Sequence, residues 1–417
     1  MTVRVNKPAF NIREKITELT NNIGLKGREL MRAVTVQEAR DLVSAGRKNM
    51  IINGAMSINQ RNGTSSYTIP NATGGSYGGP DRWAVNEATG ATISVNMDGD
   101  PTSNNALSSD VREFSKAFQF AVTSDNSSLS ANENLHFFQN IEGYNTAHLG
   151  WGTEKAKPVT LSFWVRSNVT GTYCVGLENN ATNRCCIKEY TINPGYKWQK
   201  VVLTFPGCTD GTWERTNSVG IRVRFVLASG TQYDDGIDGQ WVNSDELTTG
   251  NQVNFVSSTN NRYFITGVQL EVGKNATEFE HRSYVEELAL CQRYFWNLTS
   301  PFNGNWNIFS WGHGGSSNRV FTSIACPVAM RNYPQIYNKF VNVQDGGTVS
   351  DVTDRLYPNT LNELGGSANI VSYGGYPQGT HLSLSVTAAS TANGNGYRVN
   401  IKNVSNNAGY LYFEAEL

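Results

Sequence analysis

Acidic side chains crowd one short stretch of this chain: Asp234, Asp235 and Asp238 in YDDGIDG, with Asp245 and Glu246 just beyond. Carboxylates interleaved with glycine are the donor set a Ca²⁺ ion takes, because a hard cation prefers carboxylate and carbonyl oxygens. The spacing departs from an EF-hand at most ligand positions, so a solvated acidic loop outweighs a bound ion as the reading. Glycoside hydrolysis needs two carboxylates facing one cleft, a convergence that linear order does not display. The five histidines (His136, His148, His281, His313, His381) are scattered, with no HxH or HExxH pair, which argues against metal-dependent catalysis. The six cysteines (Cys174, Cys185, Cys186, Cys208, Cys291, Cys326) form no CxxC and read as free, mostly buried thiols. The chain is therefore expected to be no enzyme and to require no cofactor, a structural Ca²⁺ being the one ion entertained.

A second kind of chemistry is stacking. Trp306, Trp311, Tyr373 and Tyr376 lie in a C-terminal region rich in Gly and Asn. An aromatic face packs against the C–H face of a pyranose, so these four form the candidate glycan-binding set. Exposed aromatics mark subunit interfaces equally well. Trp164, Trp198 and Trp213 fall in or beside alternating strands and read as core, whereas Trp241, inside the acidic loop, reads as exposed.

Composition narrows the class. Charged residues make up 17% of the chain and glycine contributes 40 residues, the profile of an all-β protein with many turns. A formal net charge of −1 gives no electrostatic reason to expect nucleic acid. The N-terminus MTVRVNKPAF lacks a charged-then-apolar leader, and no apolar run reaches spanning length; a soluble product of the cytosol is expected.

These residues must be positioned by elements of two periods. Residues 1–48 read as short helices: Asn11 caps the first, in which Ile12, Ile16, Leu19 and Ile23 recur at four, three and four, and Thr35 to Glu38 is a capping box for the second. Residues 49–280 alternate as strands, with Phe118, Phe120 and Val122 on one face, likewise Leu161, Phe163 and Val165, and Val219, Ile221, Val223 and Phe225. This is the pattern of an antiparallel sandwich. Residues 281–296 return to helical period, Tyr284, Leu288, Cys291 and Phe295 forming one apolar seam behind a Ser283 cap. A helix this short is unstable alone and must pack on its own chain or on copies of itself. Residues 297–417 are again strands. The fold class expected is mainly β: N-terminal helices, a jelly-roll sandwich, a bridging helix and a C-terminal β-sandwich.

The junction QLEVG followed by FEHRSYVEELALCQRYF resembles one found in tail fibres and related structural proteins of tailed bacteriophages. The resemblance extends to RKNMIINGAMSINQR (47–61), DRW (81–83), TLSFWVRS (160–167), the Cys326–Arg331 element and the terminal AEL. Ile52-Asn53-Gly54 as opening and Gly267–Glu271 as closing segment resemble the jelly roll of carbohydrate-binding modules. That likeness implies that first and last segments lie together, and makes Glu271 a further candidate Ca²⁺ ligand. The phage resemblance implies a virion tail fibre, and the two helical seams, too short to stand alone, add the expectation of a homotrimer that buries both in parallel bundles. Residues 1–48 would attach it to a tail adaptor or nozzle protein, and residues 297–417 would meet a host glycan or outer-membrane receptor. The alternatives are a glycan-degrading tailspike and a carbohydrate-binding decoration fibre on the head.

Overall fold

A computed structural model of the chain describes residues 48–98, 111–181, 183–193, 195–299, 306–314, 319–332, 334–339, 341–345, 370–372, 381–387, 396–402 and 410–416. Backbone proximity divides the chain into two compact units, Met1–Asn49 and Met50–Leu417. The first seam, Ile12, Ile16, Leu19 and Ile23, lies outside the described residues, as do Tyr373 and Tyr376.

The protein is mainly β, as its alternation requires. The first strands are β1 (Tyr67–Thr68), β2 (Ala72–Ser76), β3 (Ala84–Glu87), β4 (Thr92–Asp98), β5 (Ala117–Ser124) and β6 (Asn134–Glu142). They continue with β7 (Val159–Ser167), β8 (Gly171–Glu178), β9 (Cys185–Ile192), β10 (Gln199–Phe205), β11 (Val219–Ser229), β12 (Trp241–Val242) and β13 (Arg262–Val272). Two antiparallel sheets result, a six-stranded one ordered β1-β4-β5-β13-β7-β10 and a seven-stranded one ordered β12-β9-β8-β11-β6-β3-β2. Of the three sets of alternating residues named above, all but Val219, which is buried at the strand's start, enter the core between them. Aromatic rings fill its centre: Phe137 stacks on Phe225 with centroids 4.9 Å apart, and Phe163 meets Phe225 edge-on at 5.1 Å. Buried tyrosines satisfy each other, Tyr190 and Tyr263 placing their hydroxyls 2.9 Å apart.

After the sandwich, a helix spans Tyr284–Gln292, and Ser283 caps it by accepting from the Glu286 amide at 3.3 Å. Two further sheets follow, β14 (Phe295–Thr299), β22 (Tyr410–Glu414) and β17 (Gln335–Lys339) forming the smaller. The larger is ordered β18 (Val341–Asp345), β21 (Gly396–Lys402), β15 (Trp306–Gly314), β16 (Arg319–Ala325), β20 (His381–Thr387), β19 (Ile370–Ser372).

Three expectations need correcting. Met50–Ile58, which the strand reading of residues 49–280 would make the first strand, is instead an irregular segment, with Asn53 at φ 57° and Met56 at φ 55°. It does lie against the closing strand, since Met50 N donates to Leu270 O and Val268 N to Gly54 O, each at 2.9 Å. The bridging helix is shorter than 281–296, and Phe295 opens a strand, so Tyr284, Leu288, Cys291 and Phe295 are not one continuous helical stripe. Leu288 and Cys291 pack with Ile52, Ile58 and Tyr294 of their own chain, while Tyr284 is 62% exposed.

The closing strand carries a bulge between Thr266 and Gln269. Gly267 holds it at φ 62°, where a Cβ would come within 2.6 Å of Phe114 Cζ and 3.0 Å of Trp164 Cδ1. Gly267→Ala combines a left-handed backbone with overpacking, and should destabilise by about 1–3 kcal/mol in urea unfolding. An unchanged midpoint would mean that the bulge relaxes freely.

Candidate functional site

The irregular opening segment is organised by one buried amide. Asn53 Oδ1 accepts from the Ser57 and Ile58 amides at 2.9 and 3.0 Å, while Nδ2 donates to Ile58 O at 2.8 Å and Asp81 O at 3.0 Å. All its hydrogen-bonding capacity is used, and Asn tolerates a positive φ better than most residues. Its backbone is engaged as well: the amide donates to the Glu287 carboxylate on the helix, and the carbonyl accepts from Trp83 Nε1 at 3.2 Å. Opening segment, DRW triplet and helix therefore meet at Asn53.

Two arginines extend this meeting point to the far end of the chain. Arg82 is 1% exposed; its guanidinium pairs with Glu416, donates to Asn140 O at 2.6 Å and lies 3.5 Å from the Tyr294 ring centroid. Arg61 reaches Glu414 at 2.7 Å, Glu416 at 3.3 Å and Asp81 at 3.8 Å, with its guanidinium 3.7 Å from the Phe295 centroid. Gln60 bridges them, donating to Asp81 Oδ2 at 2.6 Å and to Phe295 O at 2.8 Å. Arg331 adds a third guanidinium, bonded to Ala415 O and Glu416 O at 2.8 Å and to Asn217 O at 3.0 Å. Three cations (Arg61, Arg82, Arg331) thus face three carboxylates (Asp81, Glu414, Glu416). Burial pushes the Asp81 carboxyl above its ordinary range although Arg61 pulls it down, and burial beside Glu416 pushes the Tyr77 phenol up. At the neighbouring edge Arg293 holds Glu142 with contacts of 3.0–3.3 Å, and Trp296 stacks on Phe413 at 4.4 Å. The chemistry of this assembly is fastening: it locks β22 and the helix onto the jelly roll.

The sequence-based site residues are scattered by comparison. Glu271, on the six-stranded sheet, accepts from the Thr277 amide at 2.8 Å, the Thr277 hydroxyl at 2.7 Å and Gln269 Nε2 at 2.9 Å, so its carboxylate pins a turn. Asp238 instead serves the seven-stranded sheet, accepting from the Glu189 amide at 2.9 Å beside Lys188. Asp234 and Asp235 lie in the same loop as Asp238, and Glu271 is not brought to them. Among the described residues, no three His, Cys, Asp or Glu side chains are grouped as a metal ion requires. Trp241, expected outside, is half-buried in a box with Trp151 and Trp213, and its Nε1 donates to Pro206 O at 2.9 Å. Trp164, expected in the core, is half-buried on the outer face of its sheet. All six cysteines are buried and unpaired. Trp306 and Trp311 both belong to β15, and a bulge between Ile308 and Ser310 pairs them with Lys402 and Arg398, an even spacing on the partner strand.

Arg61, Arg82, Glu414 and Glu416 escaped the sequence reading because isolated charges far apart in sequence carry no period. The available signal was DRW itself, a charged pair among apolar neighbours in a chain poor in charge.

No protein-family model matches the chain, and no curated protein does. Among solved structures, the enzymatically active domain of tailspike protein 4 from bacteriophage CBA120 is 14% identical over 54% of this chain and 21% of its own, with TM-score 0.28. A putative sugar-binding protein from Bacteroides thetaiotaomicron is 15% identical over 54% of this chain and 100% of its own, at 0.30. A family 11 carbohydrate-binding module from Clostridium thermocellum is 10% identical over 53% and 100%, at 0.24. Likenesses of this size carry no statement about what the present chain binds.

Removing one member of a buried ion pair strands the other, an effect of about 3–5 kcal/mol. Arg82→Ala should destabilise the chain by that amount in urea unfolding, and Arg82→Met with Glu416→Gln by less than the two single changes summed. Additive changes would show that the pair does not couple.

Proposed function

We propose that the chain is a tail-fibre-like structural protein of a bacteriophage virion, assembled as a homotrimer. Residues 1–48 dock it to a tail adaptor or nozzle protein, and residues 297–417 meet a host glycan or outer-membrane receptor. One observation carries the reading. The segments that resemble phage fibre proteins, distant in sequence, supply the joint: Asn53, Gln60 and Arg61 from the first, Asp81 and Arg82 from DRW, Glu287 and Tyr294 from the junction, Arg331, and Glu416 from the terminal AEL. The joint gives those motifs a common physical purpose, fastening a tip to a body. A fibre needs such a fastening, because adsorption forces pass from tip to particle through this point.

The trimer is supported by what its second seam leaves uncovered. Leu288 and Cys291 are used within the chain, but Tyr284 and Val285 are 62% and 75% exposed at the start of the helix. Light scattering of the purified chain at micromolar concentration should give the mass of three chains; a monodisperse monomer would exclude the assembly.

Recognition by the tip is tested in the intact fibre, because truncation would also remove Glu414 and Glu416 from the joint. Particles carrying Trp306→Ala with Trp311→Ala should adsorb about tenfold less well, the loss of about one stacking contact's energy. Normal adsorption would place recognition elsewhere on the fibre or in another protein.

A further inference from the structure

Arg82 and Arg293 hold carboxylates that are themselves buried, those of Glu416 and Glu142. Arg184 is arranged the other way. Its own side chain is 12% exposed, yet its guanidinium holds two groups that face water. One nitrogen donates to Asn243 Oδ1 at 2.7 Å and the other to Asp210 Oδ1. The Asp210 side chain is 59% exposed, and Asn243 is exposed as well. Strand register brings two of the three together: Trp241 and Val242 of β12 lie opposite Cys186 and Cys185 of β9, so Asn243 comes next to Arg184. Asp210 arrives from the connection between β10 and β11, which Gly211 turns at φ 77° close against Arg184 and Trp213.

That connection does not need the Asp210 carboxylate to stay in place. Its backbone is held already: Trp213 Nε1 donates to Asp210 O at 3.0 Å, Asn179 Nδ2 to Thr212 O at 3.1 Å, and Trp241 Nε1 to Pro206 O at 2.9 Å. The Gly152 amide adds a bond to Cys208 O at 2.8 Å. Within the carboxylate only Oδ1 is engaged, by Arg184 and by the Cys208 thiol at 3.3 Å. Those bonds, the thiol's foremost, hold the Asp210 carboxyl below its usual range, so it stands as an anionic acceptor. Oδ2 of Asp210 and Nδ2 of Asn243 meet no partner among the described residues. A water-facing acceptor and a water-facing donor are therefore fixed side by side on one guanidinium.

We propose that Asp210 and Asn243, presented by Arg184, bind a neutral sugar through two vicinal hydroxyls. A hydroxyl both donates and accepts, so a vicinal pair is met by an acceptor beside a donor. Asp210 Oδ2 accepts from one hydroxyl and Asn243 Nδ2 donates to its neighbour. The planar guanidinium orients both groups before the sugar arrives, which spares most of the ordering cost of binding. Trp241, half-buried and two residues before Asn243, lies on the same side of its strand and offers its accessible part to the sugar C–H groups. Anionic sugars are disfavoured, because Asp210 and Asp245, the latter 51% exposed, repel them. The site lies on the jelly roll and goes beyond the tip recognition proposed above, with which it shares no residue.

The test titrates the full chain, by calorimetry, with glucan, galactan and mannan hexaoses. Two controls accompany them: the same hexaoses after periodate oxidation and borohydride reduction, which open the vicinal diols, and a hexagalacturonate. At least one neutral hexaose should bind saturably, and its opened form and the hexagalacturonate about tenfold or more weaker. Asn243→Asp keeps the oxygen that Arg184 holds and removes only the donor; Asp210→Asn keeps Oδ1 and turns the free acceptor into a donor. Each should weaken binding about threefold to tenfold while melting as the parent does, and Asn243→Asp decides the matter if Asp210→Asn fails to fold. Absence of binding by all three hexaoses, equal affinity for the opened form or the hexagalacturonate, or undiminished binding by either folded variant overturns the proposal. So does hexaose binding that is lost only with Trp306→Ala and Trp311→Ala, which would belong to the tip. Adsorption lost through Trp306 and Trp311 with no hexaose binding would leave the fibre reading standing and remove this one.

Discussion

Burying Arg82 is the constraint from which much of this structure follows. A guanidinium taken out of water is strongly unfavourable unless a carboxylate and further acceptors replace the lost hydration. Within this chain the carboxylate comes from Glu416, near the end of the sequence, so the C-terminal residues have to return to the body. The backbone at Arg82 has φ 75°, a conformation that disfavours a side chain by about 1–2 kcal/mol. It persists because ion pair, Asn140 carbonyl and Tyr294 ring jointly over-determine the residue. Directional contacts of this kind add less net stability than an apolar patch of equal size would, but they admit few alternative placements. The tip strand can sit against the body in one register and hardly any other.

The same logic explains why the opening segment is not a strand. A regular strand at Met50–Ile58 would satisfy its amides along a ladder and leave no backbone group for the helix. Folding it around Asn53 frees the Asn53 amide for Glu287 and the Ile52 amide and carbonyl for the Gln139 side chain, at 2.8 and 2.7 Å. Side-chain amides thus take over from secondary structure where three elements converge. Trp83, fully buried between this segment and the aromatic core, donates its indole N–H to Asn53 O and so couples the polar joint to the apolar interior.

The parts legible in sequence were those with a period. Strands such as Leu161–Val165 and Val219–Phe225 declared themselves because each buries one face, and period two survives any loop between strands. The Ser283 cap was legible for a similar reason, being a local pattern of four residues, Ser283 to Glu286. The short strands failed: β1, β2 and β12 at sheet edges and β3 beside β2 are short or rich in small residues and lack alternation. Helical period ran on past the true helix end because Tyr294 and Phe295 are apolar for other reasons, one beneath Arg82 and the other beneath Arg61. The joint was illegible in principle, since Arg61 and Glu414 are brought together by the fold and by no spacing. Trp164 misled for the converse reason: the hydrophobicity that suggests a core suits a half-buried outer face equally well, whereas Trp198 is buried as its sequence suggested.

Seen together, the two sheets are unlike in how they settle their polar groups. The outer side of the seven-stranded sheet closes on itself: Arg222 bonds Asn140 and Glu178 and lies over Phe138, and Asn86 bonds Asn134. The outer side of the six-stranded sheet leaves Arg166 with rings alone. Stability does not require that difference, because a carboxylate within reach of Arg166 would remove it. The guanidinium is instead met by aromatic faces, and Val111, Phe114 and Ala117 close that side by packing on Trp198 and Phe264. In the multi-copy fibre proposed above, weak surface contacts suffice, for the first to form raises the effective concentration of the others. In that proposal the joint would make the multiplication effective, because it fixes β22 against the jelly roll and spares a further loss of orientational freedom.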